Sequence, residues 1–597
     1  MTAMGQATDP EQLRDKYRAE REKRLELART YTSLHGALAD RFDTDPWATG
    51  DGARESVSWD LEALIVGGGI AGMLAGGALR KHGLAPEDLC IVERGADFGG
   101  TWYWNRYPGL ACDTEAYCYL PLLEETGYVP REKYAKGPEL LEHSQRVGRH
   151  FGLYQRALFQ TRVVEAVWDE DQLRWIATTD RGDVLRARFL WLCGGATSRP
   201  KLPGVPGIER FRGHSFHTMR WDYGYTGGGP DGHLVNLADK RVGVIGTGCT
   251  SIQCVPPLAE WSKELFVFQR TPSIVESRAN RPTDPEWAAR LEPGWQRRRM
   301  ENFLNILDGE PQDEDLVDDG WTRNFRELPH YAPDIARRKS ADAQERADFH
   351  LMEQVRARID SIVDDHTVAE ALKPWYGAMC KRPTFHDDYL PTFNRPNVTL
   401  VDTHGRGVER ITEAGVIAGG REYPLDTIVF ATGFDVSPGL ASNLGFDPRG
   451  VGGITLTQRW EREFSTLHGM LISGFPNLFY IGGMQGTLAT TRTYDMSIQT
   501  EHCAQIVEHC RNRKAERAEV RAEAERAWLA EMARSRVDHT QYFQTCTPGL
   551  FNQEGNGGPL WDYYYGKGPV EYQRVLQRWI DDRLTTDLHF DRAGTTP

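Results

Sequence analysis

The residues best suited to chemistry gather around two glycine turns. In the first, Gly67-Gly68-Gly69-Ile70-Ala71-Gly72 follows the apolar run Leu61 to Val66 and leads to a second run, Leu89 to Val92, that ends at Glu93. Strand, glycine turn, helix and strand in that order grip a dinucleotide. Gly67 allows the tight turn, Gly69 lets backbone approach a pyrophosphate, and Gly72 lets the helix lie close to the strand. Glu93 comes 21 residues after Gly72, where a carboxylate accepts the hydrogen bonds of a free ribose 2'-hydroxyl. The expected ligand is an unphosphorylated dinucleotide such as FAD. In the second turn, Gly246-Thr247-Gly248-Cys249-Thr250-Ser251 follows Val242 to Ile245 and leads to Leu265 to Phe268. Arg270 and Thr271 then stand near the place the acid held in the first. A guanidinium matches a 2'-phosphate and leaves a free 2'-hydroxyl poorly paired, which favours NADPH over NADH. Ser251 replaces the third glycine, so this helix is expected to pack more loosely.

Two such turns require two α/β units, and 597 residues exceed what one hydrophobic core usually organises. The expected fold is α/β, with two interleaved Rossmann-like dinucleotide-binding domains, a helical insertion and an N-terminal helical extension. Residues 1–57 form the extension, whose helix opens at Asp9-Pro10 and runs to about Leu38. Residues 58–208 begin the FAD-binding domain. Residues 209–392 form the NADP-binding domain, with its insertion at about 280–372. Residues 393–597 complete the first domain and add a C-terminal helix and an active-site loop. On this reading the strand Thr427 to Phe430 returns to the first domain, and Gln499 to Arg536 form one long charged helix.

Composition narrows the partners. A net charge of -14 argues against nucleic acid. The N-terminus has no apolar core of a signal peptide and no run of 18 apolar residues occurs, so a cytoplasmic chain without membrane insertion is expected, with no evident obligate protein partner. The ten cysteines are scattered, several in apolar stretches, which suits reduced core thiols better than a disulfide framework. Cys249 and Cys254 fall on one helix with their side chains about 140° apart, a poor redox pair. No metal site is evident.

The run from Phe211 to Asp222, F-x-G-x-x-x-H-x-x-x-W-D through Phe211, Gly213, His217, Trp221 and Asp222, is far more specific than either glycine turn. It resembles the fingerprint of type I Baeyer-Villiger monooxygenases, flavoenzymes that insert one oxygen atom of O2 beside a ketone carbonyl to give an ester or lactone. The likeness extends to the segment from Gly99 to Gly109, and to Asp426-x4-Ala431-Thr432-Gly433, which is similar to a second family motif. It implies that Gly100, Thr101, Trp102, Trp104, Asp113 and Tyr119 line FAD and that Val163 lies near the adenine. It implies a catalytic arginine at Arg382 and a 2'-phosphate-binding lysine at Lys381. Position alone would make these two an exposed basic pair beside a turn. The fingerprint lies between the two units, where a hinge coupling nicotinamide position to domain closure is the expected role of His217 and Trp221; core packing is the plainer alternative.

The implied chemistry makes a physical demand. An oxygen adduct at flavin C4a must stay deprotonated to attack a carbonyl, which requires a permanent positive charge and exclusion of bulk water. Arginine keeps its charge when buried, and Asp113 is the expected partner holding Arg382. An amine- or sulfide-oxidising flavin monooxygenase is the alternative reading; it would not need Arg382. A disulfide reductase would need a cysteine pair after the first glycine turn, where none occurs. A redox-sensing protein without turnover would be expected to lack Arg382 or Asp113. The long N-terminal extension and the tail Cys546-Thr547-Pro548-Gly549-Leu550-Phe551-Asn552-Gln553-Glu554-Gly555 resemble the branch that includes cyclopentadecanone monooxygenase. That branch points to large-ring or steroid-like ketones, with Thr547 near the place of a tryptophan found in members that act on smaller ketones.

Overall fold

In a computed structural model the described residues are 9–592, apart from 26–30, 33, 35, 51, 196, 198, 329–340, 436–443, 556–557 and 559. Two sheets organise these residues. The first has the order Ala157–Leu158, Leu89–Val92, Ser58–Val66, Val184–Leu192, Arg174–Thr179, Val163–Asp169, and Leu478–Tyr480 adds itself in parallel to Val184–Leu192. Its centre, Ser58–Val66, pairs in parallel on both sides, with Val66 opposite Val92 and Leu192. A parallel strand buried on both faces reads as an unbroken apolar run, and Leu61 to Val66 is largely of that kind.

The second sheet is parallel throughout, in the order Val398–Asp402, Glu264–Gln269, Arg241–Ile245, Thr427–Phe430, His214–His217. This corrects one expectation: Thr427–Phe430 does not return to the first sheet, because it lies between the glycine-turn strand Arg241–Ile245 and the fingerprint strand His214–His217. Val398–Asp402 also joins this sheet, so the second unit runs on past residue 392. The strand that returns to the first sheet is the later Leu478–Tyr480.

Both glycine turns are closed the same way. Gly67 has φ 111° and Gly246 φ 119°, values open to glycine. A β-carbon on Gly67 would lie 2.7 Å from the Cys193 carbonyl oxygen, and one on Gly246 2.3 Å from the Ala431 carbonyl oxygen. In each unit the end of the neighbouring parallel strand therefore presses on the turn. Ala431 belongs to the Asp426-to-Gly433 motif, which explains why that motif accompanies the second turn.

The described part of the segment 285–372 is mainly helical, with Trp295–Leu307, Gly320–Glu327, Ala341–Ile362 and His366–Leu372 as its main elements and a loop at 308–319. The extension begins with Pro10–Leu25, capped by the Asp9 carboxylate accepting from the Glu11 amide at 3.0 Å. The helix does not reach Leu38: Tyr31–Thr32 is a short strand paired with Leu202–Pro203, and Ala37–Phe42 is a separate helix. Part of the expected helix, 26–30, lies outside the described residues. Leu13 and Tyr17 pack on Phe349 of the insertion, whereas Leu25 is exposed. Gln499 to Arg536 is not one helix either. Arg492–Arg513 stops at Lys514 in the left-handed region (φ 53°), Ala515–Val520 is a strand paired with Leu588–Arg592, and Ala522–Ser535 follows.

The cysteine expectation needs correction too. Cys380 and Cys546 form a disulfide across a sequence separation of 166. Eight other cysteines, Cys249 and Cys254 among them, are free thiols. Among the described residues no helix is long and apolar enough to cross a membrane, and no cluster of His, Cys, Asp or Glu could hold a metal ion.

Candidate active site

The first glycine turn opens the helix Ile70–Lys81 with Gly69 as its N-cap and no side chain capping it, so its first amides are free for an anionic ligand. Gly72 must be glycine, because a β-carbon there would lie 1.8 Å from the Gly67 carbonyl oxygen. Gly100 is pressed too, though less closely: its β-carbon would lie 2.6 Å from the α-carbon of Gly69. Backbone therefore meets backbone where a pyrophosphate has to approach. Glu93 is buried, and its two carboxylate oxygens accept from the Gly68 and Gly95 amides, each at 2.6 Å. Burial, opposed by those amides, raises its pKa. A carboxylate fixed against the turn in this way suits a ribose hydroxyl, and the cradle fits FAD.

Thr101 shares a hydrogen bond with Thr197 at 2.7 Å, and Trp102 meets Tyr119 edge to face at 5.6 Å. Val163 is buried at the start of its strand. Trp104 meets two guanidinium groups, Arg94 at 4.6 Å and Arg220 at 4.0 Å from its ring. That cluster is held by the N-terminal extension. Asp43 accepts from Arg94 at 3.2 Å and from Arg220 at 3.3 Å, the Thr44 carbonyl accepts from Arg220 at 2.6 Å, and Asp45 accepts from the Tyr103 hydroxyl at 2.8 Å. Trp47 lies under Arg106 at 4.7 Å. The extension thus ties the segment after the first glycine turn to the fingerprint.

The second turn opens the helix Cys249–Trp261 from Gly248, again without a side-chain cap. Thr247 donates to the Thr271 carbonyl at 2.7 Å, and the Thr271 hydroxyl accepts from Arg24 at 3.0 Å. Ser251 is fully buried, so the departure from glycine is absorbed in the interior. Arg270, the residue after the strand Glu264–Gln269, faces a carboxylate of the chain itself: Glu554 lies 3.5 Å away. Lys381 donates to the Pro548 carbonyl at 2.9 Å. Both cations expected at a 2'-phosphate therefore meet the same tail loop.

Asp113 and Arg382 face each other with two contacts, Nη2 to Oδ1 at 2.6 Å and Nη1 to Oδ2. The Asp113 side chain is 10% exposed and that of Arg382 38%. Burial works against the guanidinium's charge, but the adjacent carboxylate outweighs it and raises the pKa. A residue not apparent in the sequence completes the pair. Trp321, from the helical insertion, donates its indole N–H to the Asp113 carbonyl at 2.7 Å and lies under Arg382 with its ring 4.9 Å from the guanidinium carbon. Gln253 was equally hidden. It is buried on the second glycine-turn helix, accepts from the Tyr107 hydroxyl at 2.9 Å and donates to the Ala111 carbonyl at 2.8 Å. It thereby fastens one unit to the other two residues before Asp113. No sequence signal marks either residue, since a tryptophan and a glutamine on amphipathic helices are ordinary.

The fingerprint residues are framework around this junction. Phe211, His217 and Trp221 are buried. A β-carbon on Gly213 would strike the Asp426 carbonyl oxygen at 2.6 Å. His217 accepts from the Met219 amide at 3.1 Å, Trp221 donates to Thr226 at 3.2 Å, and Asp222 caps the next turn by accepting from the Tyr225 amide at 3.0 Å. Burial first, then Arg220, lowers the His217 pKa to about 3, so the ring is neutral at physiological pH.

A fold with two dinucleotide cradles, joined beside a pair formed by a buried carboxylate and a partly exposed guanidinium, defines a pyridine-nucleotide-dependent flavoprotein. Comparison with known proteins narrows the class. Residues 65–127 match the NAD(P)-binding Rossmann-like domain family. A pentalenolactone D synthase of Streptomyces exfoliatus is 49% identical over 577 residues, 95% of this chain and 98% of that protein. A Baeyer-Villiger monooxygenase of Streptomyces coelicolor is 46% identical over 580 residues, 96% of each chain. The solved polycyclic ketone monooxygenase of Thermothelomyces thermophila is 38% identical with a TM-score of 0.88, over 98% of this chain and 99% of that one. This chain belongs to the Baeyer-Villiger monooxygenases. It is a flavin monooxygenase of ketones that uses FAD, NADPH and O2, and the amine- or sulfide-oxidising alternative is not favoured.

Proposed function

We propose that the substrates of this monooxygenase are bulky ketones, polycyclic, large-ring or steroid-like, and that Arg382 and Asp113 carry its oxygen-insertion step. The similarity to a polycyclic ketone monooxygenase over nearly the whole of both chains is the observation that carries the substrate class. A small residue, Thr547, near the place of a tail tryptophan agrees with it. FAD reduced by NADPH supplies activated oxygen from O2 when both are bound; the protein's own groups must do the rest. Arg382 holds a permanent positive charge where negative charge gathers on oxygen as a carbonyl is attacked. Asp113 keeps that guanidinium in place and Trp321 fixes both, through its N–H to the Asp113 backbone and its ring face below Arg382. The carboxylate lowers the net charge of the pair, but alignment matters more than net charge when an unheld guanidinium would turn toward water.

Gly67, Gly69, Gly72, Glu93, Gly100, Thr101, Trp102, Trp104, Tyr119 and Val163 are assigned to FAD. Gly246, Thr247, Gly248, Ser251, Arg270, Thr271 and Lys381 are assigned to NADPH. The fingerprint acts as a hinge: His217 ends an edge strand of the second sheet, Trp221 closes the short turn Thr218–Arg220 that follows, and the residues beside Trp221 meet the first unit through Arg220 on Trp104 and Tyr223 on the Arg106 carbonyl. A cytoplasmic enzyme working without an obligate partner agrees with the composition. The test is kcat/KM for lactone formation across cyclohexanone, cyclopentadecanone and a 17-ketosteroid. A rise with size is expected, and a preference for cyclohexanone over every bulky ketone would refute the substrate class.

A further inference from the structure

The tail loop from Cys546 to Gly555 passes over the ends of both nucleotide-facing cations. Its start is covalently bound beside them, since Cys546 is joined to Cys380, the residue before Lys381. Asn552 folds the loop, its side-chain oxygen accepting from the Gly549 amide at 2.8 Å and the Gly555 amide at 3.2 Å. Gln553 and Glu554 both take left-handed backbone, φ 51° and 57°. Side chains rarely adopt that region, so contacts around the turn must hold it there. The result is that the Glu554 carboxylate lies 3.5 Å from Arg270 and accepts from the Tyr31 hydroxyl at 3.1 Å. Arg270 also donates to that hydroxyl at 3.4 Å.

We infer that Glu554 sets the enzyme's affinity and selectivity for its nicotinamide cofactor, as an internal carboxylate that holds the Arg270 charge until a 2'-phosphate displaces it. The inference rests on the assignment of Arg270 to that phosphate. A carboxylate and a phosphate compete for one guanidinium because both match its fork of donors. The Cys380–Cys546 bond sharpens the competition: Glu554 lies eight residues beyond the cross-link, so its effective concentration at Arg270 stays high. A nucleotide with a free 2'-hydroxyl makes no such claim on Arg270 and does not need Glu554 to leave. Glu554 therefore weakens NADP(H) binding more than NAD(H) binding. A dithiol reductant would loosen the loop. It delivers two electrons and two protons, frees Cys380 and Cys546 as thiols, and leaves as its own disulfide. Both cysteines are buried, so this exchange proceeds only through loop opening.

The experiment is equilibrium titration of the full-length FAD-loaded enzyme with NADP+ and NAD+, for wild type, Glu554→Gln, Cys546→Ser and Arg270→Ala. Non-reducing peptide mapping checks the cross-link. Glu554→Gln is expected to bind NADP+ about two- to fivefold more tightly, the worth of a partly exposed ion pair, with NAD+ binding unchanged. Cys546→Ser, and wild type treated with dithiothreitol, shift the same way by less. NADP+ binding that is unchanged or weaker in Glu554→Gln overturns the inference, making Glu554 a contact that retains the cofactor or one without influence on it. Unlinked Cys380 and Cys546 in wild type, or unchanged NADP+ binding in Cys546→Ser, overturns the role of the cross-link. Arg270→Ala separates the two layers. If its preference for NADP+ over NAD+ equals that of wild type, the assignment of Arg270 to the phosphate falls; if that preference drops several-fold, Lys381 supplying the remainder, while Glu554→Gln changes nothing, only this inference falls.

Discussion

Asp113→Asn is the sharpest perturbation of the proposed chemistry, because it keeps the side chain's volume while removing its charge. In the wild type both carboxylate oxygens face the guanidinium, one at 2.6 Å. Asparagine leaves one acceptor and sets an amide N–H against a guanidinium N–H. A hydrogen bond to a charged group contributes about 1.5–3 kcal/mol. Arg382 is 38% exposed, so water screens part of the loss, and about 2–3 kcal/mol for misplacing the guanidinium is reasonable. At 1.36 kcal/mol per decade, that slows the step in which Arg382 meets developing charge by about 30- to 150-fold. The assay is lactone formed per NADPH consumed, with H2O2 measured in parallel and flavin reduction followed anaerobically by stopped flow. Lactone formation should fall by that factor, flavin reduction should stay within about threefold of wild type, and the NADPH still consumed should appear as H2O2. A double variant with Arg382→Ala should be no worse than Arg382→Ala alone, since the carboxylate acts through the arginine. Lactone formation by Asp113→Asn within threefold of wild type would refute the reasoning, as would a fully additive double variant.

Other expectations follow from the same geometry. Arg382→Ala should abolish lactone formation with FAD still bound and still reducible; product at near wild-type rate would remove Arg382 from the mechanism. Trp321→Phe keeps a ring under Arg382 but loses the N–H donated to the Asp113 carbonyl; at about 0.5–1.5 kcal/mol, kcat should drop about two- to twelvefold with KM for NADPH unmoved, and an unchanged kcat argues against a positioning role. Wild-type enzyme should use NADPH at least about tenfold better than NADH by kcat/KM, since one phosphate contact supplies more than the 1.4 kcal/mol required, and equal use would contradict the assignment of Arg270 and Lys381. His502 is buried beside His468 and Trp579, and burial lowers its pKa to about 3. The unfolded chain therefore takes up this proton first as pH falls, and the stability lost between about 6.5 and 3 is up to about 1.4 kcal/mol per pH unit. The stability difference between His502→Phe and wild type should grow in the variant's favour from pH 7 to pH 5 in denaturant titrations, and a difference constant with pH would contradict it.

What could be read from the sequence was whatever local geometry dictates. Gly67, Gly72 and Gly246 are glycine because carbonyl oxygens lie where a β-carbon would go, and a strand and helix on either side make that need visible in one short stretch. The partner of a strand is not visible in the same way. Thr427–Phe430 is buried and apolar whichever sheet it joins, so its sequence carries no information about its neighbours. Ala515–Val520 reads Ala-Glu-Arg-Ala-Glu-Val, good helix formers for the most part, yet pairing with Leu588–Arg592 overrides that preference. The disulfide was hidden for a related reason: its cysteines are 166 residues apart, and nothing in the chain near Cys380 points to Cys546.

The proposed centre was legible only in part because its members come from four separate stretches. Asp113 follows the first glycine turn, Trp321 comes from the helical insertion, Arg382 follows that insertion, and Gln253 lies on the second glycine-turn helix. A motif can record a residue's chemistry, but not a contact made by a distant segment. The distribution has a mechanical consequence as well. Asp113 is held from three sides: by Arg382 through its carboxylate, by Trp321 through its carbonyl, and by Gln253 through the backbone at Ala111. Any relative movement of the two units must pull on at least one of these contacts. The N-terminal strap adds another restraint, because Asp43 binds Arg94 of the first unit and Arg220 of the fingerprint at once. On the proposed hinge role of the fingerprint, relative motion of the units would shift the guanidinium, and substitutions at His217 or Trp221 are expected to lower coupling efficiency before they affect flavin reduction.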